Sequence, residues 1–135
     1  MAVQLSTTVR NARLDAIETA IGASAVLKIR TGAAPANCGT ADSGTVLATL
    51  SLPSDWMAAA SSGSKAKSGT REDASADNAG TAAHFRVYAS DGTTCHLQGT
   101  VTATGGGGDM TLDNVSIGAG QAVTITGFTL TDGNA

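Results

Sequence analysis

Over residues 83–104 the chain alternates apolar and polar side chains about a central Ser90-Asp91-Gly92. This is the period-two pattern of two half-buried strands joined by a turn. A two-residue Asp91-Gly92 loop would set Phe85 and Val87 against Gln98 and His96. A three-residue loop with Gly92 in the left-handed position instead pairs Val87 with Cys95 and Phe85 with Leu97. His84, Arg86 and Tyr88 then share the polar face with Thr94, His96 and Gln98. The pattern continues through Val101 and Ala103, past four glycines at 105–108, to Met110 and Leu112, Val115 and Ile117, and finally Val123, Ile125, Phe128 and Leu130. Short strands rich in Val, Ile and Thr, with a turn at Gly118-Ala119-Gly120, predict a mainly β domain, an antiparallel β-sandwich of jelly-roll type. Apolar parity shifts by one across Gly127, which marks a β-bulge there.

Upstream, residues 9–21 carry apolar side chains at helical spacing, with Thr7 or Thr8 as cap and Gly22 at the C-terminal stop. Val9, Ala12, Ala16 and Ala20 form one stripe, with Leu14, Ile17 and Ile21 beside it. Arg10 and Arg13 fall among them. Either they lie at the rim of the domain's own core, or the helix and residues 1–6 form an arm that docks on another subunit. Alternation predicts strands at 25–30 and 45–52, separated by an exposed loop around Pro35. Pro53 ends the second strand, Ser54 caps a short turn, and Trp56 reads as a core plug. Residues 60–82 hold no large apolar side chain, which predicts a long polar loop ordered only by neighbours. The chain thus divides into an N-terminal arm and helix, 1–22, and a β-sandwich domain, 23–135.

Composition adjusts this picture in one respect. There are 135 residues but only four aromatics, and small residues make up about half of the chain. Large apolar side chains supply most burial energy, so the fold is expected to gain stability by association with a partner or with copies of itself. The net charge is −3 and the basic residues are dispersed, with Lys65, Lys67 and Arg71 the only loose cluster, which argues against nucleic-acid binding. The sequence has neither the length of apolar run for a membrane span nor the layout of a signal peptide at its start, so a protein made in a cytoplasm is expected. That compartment favours Cys38 and Cys95 as free thiols.

Catalytic and metal chemistry finds little footing. Cys38, Cys95, His84 and His96 lack zinc-ligand spacing, and the hairpin register sets Cys95 inward and both histidines outward. The same opposition argues against a Cys/His nucleophile. Asp15 and Glu18, one helical turn apart among arginines, suit salt bridges better than acid/base work. The run GGGGDMTLD has neither the tandem copies of a calcium repeat nor the Gly-Lys-Ser/Thr of a phosphate loop, and reads as a flexible hairpin tip. No enzyme activity, metal or cofactor is expected.

Two stretches, VRNARLDAIETAIGASAVLKIRTGAAPANC and GTVTATGGGGDMTLDNVSIGAGQAVTITGFTLTDG, resemble in style the small structural proteins of tailed bacteriophages, and cover about half of the chain. The resemblance implies a virion structural protein. Within that class it points first to a capsid decoration or cement protein that binds the major capsid protein where capsomers meet, self-associating as a dimer or trimer. The second reading is a tail, baseplate or fibre component touching tail proteins or the host surface. The expected contacts are Val3, Leu5, Arg10 and Arg13 on the arm, Lys65, Lys67 and Arg71 in the polar loop, and Asp109 at the glycine tip.

Overall fold

The computed structural model describes residues 3–133. Among the described residues the one helix, α1 (Thr7–Ile21), is capped by Ser6, ahead of the predicted Thr7 or Thr8. Ser6 accepts the Val9 amide on its hydroxyl at 3.2 Å. It stops at Gly22, whose φ of +87° favours glycine and whose N–H donates to the Glu18 carbonyl at 3.1 Å.

Nine strands follow: β1 (Val26–Thr31), β2 (Val46–Ser51), β3 (Ser64–Ala66), β4 (Arg71–Asp73), β5 (Gly80–Tyr88), β6 (Cys95–Ala103), β7 (Met110–Leu112), β8 (Ser116–Ile117) and β9 (Val123–Thr131). They form a single mixed sheet in the order β2-β1-β5-β6-β7-β9-β3, with β4 also on β9 and β8 on β5. The sheet curls until its ends meet. The edge of β2 is covered by residues 73–78, where the Asp73 carboxylate accepts the Thr49 amide at 2.9 Å and the Asp77 amide donates to the Leu47 carbonyl at 2.7 Å.

Leu27, Ile29, Leu47, Leu50, Phe85, Val87, Met110, Leu112, Ile125 and Phe128 fill the inside of the curl. Trp56 is the core plug that its position predicts, stacked on Phe128 at 5.7 Å, and Phe85 meets Phe128 edge-on at 5.4 Å. Each such side chain contributes about 1.5–3 kcal/mol. The parity shift near Gly127 is also present: Thr111 pairs with Gly127 and Leu112 with Ile125, leaving Thr126 as the extra residue.

Four expectations need correction. The β5–β6 register is shifted from the predicted one, with Val87 opposite Leu97, Phe85 opposite Gly99 and Tyr88 opposite Cys95. The cause is the turn. The Asp91 carboxylate collects the amides of Thr93 and Thr94, both at 2.9 Å, and the Ala89 amide closes on the Thr94 carbonyl at 2.9 Å, so His96 becomes an extra residue in β6.

The supposed polar face of this hairpin is interior. His84, Arg86 and Tyr88 are buried because residues 32–45, expected to be an exposed loop, lie across them. Cys95, paired with Tyr88, belongs to that covered face and not to the apolar one.

Residues 60–82 are not a free loop. They supply β3 and β4 to β9, where backbone hydrogen bonds order a segment with almost no apolar side chain of its own. The glycine run is likewise no hairpin tip, since it turns the chain back so that β7 runs parallel to β6, with Val101 opposite Met110.

Candidate functional site

Helix α1 is seated on its own domain by polar groups. The Asn11, Asp15 and Glu18 side chains accept the amides of Gly63, Ala60 and Met57 at 2.9, 2.9 and 3.0 Å. Lys65, at the centre of β3, donates to Asp15 at 2.7 Å, to the Ala58 carbonyl at 3.0 Å and pairs with Glu18 at 2.9 Å. Its side chain is only 2% exposed. Burial alone would lower the Lys65 pKa, but the two carboxylates outweigh it and raise it. The hydrogen bond from Lys65 and that from the Ala60 amide hold Asp15 below the usual carboxylate range. Only Leu14 and Ile21 of the helix are fully buried, with Ile17 packed partly against the core.

The outer side of the helix carries small apolar side chains among polar ones, with Thr8, Arg13 and Thr19 exposed there as well. Val9 is 44% exposed, Val3 ahead of it is 84% exposed, and Ala12, Ala16 and Ala20 are exposed along the same stripe. A surface helix ordinarily turns its apolar stripe inward. Here Leu14, Ile17 and Ile21 do turn inward, joined by carboxylates and an amide that satisfy backbone donors, while Val9 and the small apolar side chains of the neighbouring stripe face out.

The predicted contact residues therefore divide. Val3 is open and Leu5 is half-buried. Met1 and Ala2 of the predicted arm lie outside the described residues. Arg10 donates to the Asp132 carbonyl at 3.0 Å and to Thr7 at 3.2 Å, and Arg13, 60% exposed, pairs with the Asp132 carboxylate at 3.2 Å. Both arginines thus tie the helix to the end of β9, as rim residues of their own domain. Lys65 is withdrawn from any partner surface, which corrects its assignment. Lys67 donates to the Gly69 carbonyl at 2.9 Å and Arg71 is half-buried on β4, so no open basic cluster forms. Asp109 stands apart from this group, exposed over β6, where its carboxylate accepts the Thr100 amide at 2.9 Å.

A second cluster escaped the sequence reading. Asp42, in the segment across the β1–β5 face, takes Arg86 Nη1 and the Tyr88 hydroxyl on Oδ1 at 2.6 Å each, and Arg30 Nη2 on Oδ2 at 3.0 Å. Arg86 also donates to the carbonyls of Asn37 and Thr40 at 2.9 and 3.0 Å and to Gln98 at 3.0 Å. Gln98 in turn donates to the Pro35 carbonyl at 2.7 Å, and His84 Nδ1 to that of Gly32 at 2.7 Å. Burial would raise the Asp42 pKa, yet the Tyr88 and Arg86 hydrogen bonds and the two guanidinium charges hold it below its ordinary value. Burial pushes the Tyr88 hydroxyl up.

The signal for this cluster was the charge alternation Lys28, Arg30 and His84, Arg86 on two neighbouring strands, which needs acceptors from somewhere. The cluster fastens a loop. Its donors and acceptors are directed at one another, apart from Arg30 Nε and His84 Nε2, which are buried without a hydrogen-bond partner. Among the described residues, no group of three or more His, Cys, Asp or Glu is placed to hold a metal ion, and no helix is long and apolar enough to cross a membrane.

The fold and these surfaces define a small mainly β domain with one helix and a curled mixed sheet. No protein-family model, curated protein or solved structure matches the chain.

Proposed function

We propose that this chain is a virion structural protein of a tailed bacteriophage, a capsid decoration or cement protein that binds the major capsid protein on the outer shell. The observation that carries the reading is the second, exposed apolar stripe of the helix: α1 is held to its own domain by Leu14, Ile21, Asn11, Asp15, Glu18 and Lys65, leaving Val3, Val9 and the alanine stripe facing outward. Such a face gains free energy when a partner covers it. The likeness of the two terminal stretches to phage structural proteins supports the same reading.

In this reading the curled sheet is the jelly-roll-like sandwich body, and the outer face of α1 meets the shell. Copies paired or grouped in threes would span neighbouring capsomers. Binding only the assembled state stabilises it by mass action, without catalysis or cofactor.

The test is the copy number in purified particles of the phage that encodes the chain, quantified against the major capsid protein. A number comparable to that of the capsid subunit is expected. A few to a few dozen copies would move the protein to the tail or a vertex, and its absence from particles would overturn the virion reading.

A further inference from the structure

We propose that Cys38 and Cys95 are a disulfide-forming pair, a covalent staple that fixes residues 32–45 to the start of β6. Their Sγ atoms stand 2.8 Å apart as free thiols. A disulfide bond is about 2.0 Å long, so closure needs less than about 1 Å of sulfur movement. Both residues are half-buried, which leaves them within reach of a small oxidant. The partners come from different elements, one on the covering segment and one at the first residue of β6 opposite Tyr88. Everything else that holds this segment is non-covalent and centres on Arg86, Asp42, His84 and Gln98. A bond at Cys38 fixes the middle of the segment, between the Asn37 and Thr40 carbonyls that Arg86 already holds. The pairing was hidden by the predicted register, which turned Cys95 to the other face.

The oxidant is a small-molecule disulfide such as oxidised glutathione. Burial, and then the contact with Cys38, pushes the Cys95 thiol up to about 12. The Cys38 thiolate attacks one glutathione sulfur, breaking the glutathione disulfide and releasing one glutathione thiolate. Cys95 then gives up its proton to solvent and its sulfur attacks Cys38 Sγ, breaking the mixed disulfide and releasing the second glutathione. The two cysteines lose two electrons and two protons in all, and the oxidant becomes two glutathione thiols.

This chemistry stands or falls independently of the virion reading. The experiment takes the folded full chain, reduces it, removes the reductant and exposes it to oxidised glutathione. Thiols are counted after denaturation in the presence of a maleimide, alongside intact mass and peptide mapping. Both thiols are expected to vanish together, with a loss of two hydrogen atoms in mass and a peptide joining Cys38 to Cys95. Hydrogen exchange across residues 32–45 should slow by about tenfold and recover with dithiothreitol. The Cys38→Ser variant should retain one thiol or carry one glutathione. Stable glutathione adducts on both cysteines, or bridging that appears only when the chain is unfolded first, would overturn the proposal.

Discussion

The Thr102 hydroxyl oxygen accepts the Gly108 amide at 3.0 Å, across the bend by which the chain leaves β6 and returns beside it as β7. Parallel neighbours ordinarily need a connection of about a dozen residues or more. Here residues 104–109 suffice, because glycines allow the returning backbone to lie against Thr102. A Cβ at Gly108 would fall 2.9 Å from the Thr102 backbone nitrogen, and one at Gly106 would fall 2.7 Å from Thr102 Cβ. Gly108→Ala should therefore push β7 from β6 and cost about 2 kcal/mol, seen as a lower urea midpoint. Gly118→Ala, where the nearest atom is 3.5 Å away, should stay within about 0.5 kcal/mol. Equal effects at the two sites would refute the close-approach argument.

Lys65 predicts a different kind of loss. Replacing it with Met leaves Glu18, only 11% exposed, without its cation and loosens α1 from β3. The expected destabilisation is about 3 kcal/mol in chemical denaturation. Helical circular dichroism should fall before the sheet signal does, and a single coincident transition at wild-type stability would show that the pair is dispensable. For the same reason, deletion of residues 1–22 is expected to damage the domain as well as any contact surface, since it removes the carboxylates of Asp15 and Glu18 together.

Asp42 sets an acid dependence. Its folded pKa lies below the ordinary value of 3.8, so its contribution is present above that value and is lost as pH falls through the folded one. Asp42→Asn should lower stability at neutral pH by about 1–2 kcal/mol, a figure reduced for the carboxylate's partial exposure. It should also flatten the fall in stability between about pH 5 and pH 2. Parallel acid titrations of the variant and the wild type would show that the cluster carries none of that dependence.

The outward face of α1 gives a prediction tied to the proposed function. Val3→Asp combined with Val9→Glu touches exposed positions, so folding stability should change by no more than about 0.5 kcal/mol. Co-sedimentation with particles lacking the protein should weaken at least about tenfold. Undiminished binding by a folded double variant would move the contact to another surface.

The readable parts of the chain were those governed by local rules. The helix stop follows from Gly22 and its start to within a residue or two from Thr7 and Thr8, the bulge beside Gly127 from a change of parity, and the core position of Trp56 from its size and setting. The hidden parts depend on partners distant in sequence. Nothing near Ser64 or Arg71 reveals that β9 will order them through backbone bonds. The hairpin register turned on Asp91 gathering three donors, a choice that alternation alone does not make. Asp42 lies 44 residues before Arg86, so a strand face that reads as solvated is covered by a segment that reads as exposed. Of the contact candidates, Val3 is exposed as its place in the arm suggests, whereas the inward turn of Lys65 depended on where Asp15 and Glu18 came to rest.

The position of β9 in the sheet has a consequence for how the molecule is made. It follows β3, β4 and β7 along the chain, yet it is the partner of all three. Until it emerges, residues 64–66 and 71–73 have no strand to pair with, residues 110–112 have only β6, and Trp56 has no Phe128 on which to stack. A nascent chain can assemble β1, β2, β5 and β6 while still tethered, but the curl closes only after residues 123–131 have emerged. Premature termination before residue 123 then leaves an open sheet with unsatisfied edges instead of a smaller domain, material suited to proteolytic disposal and poorly suited to competing with full-length protein.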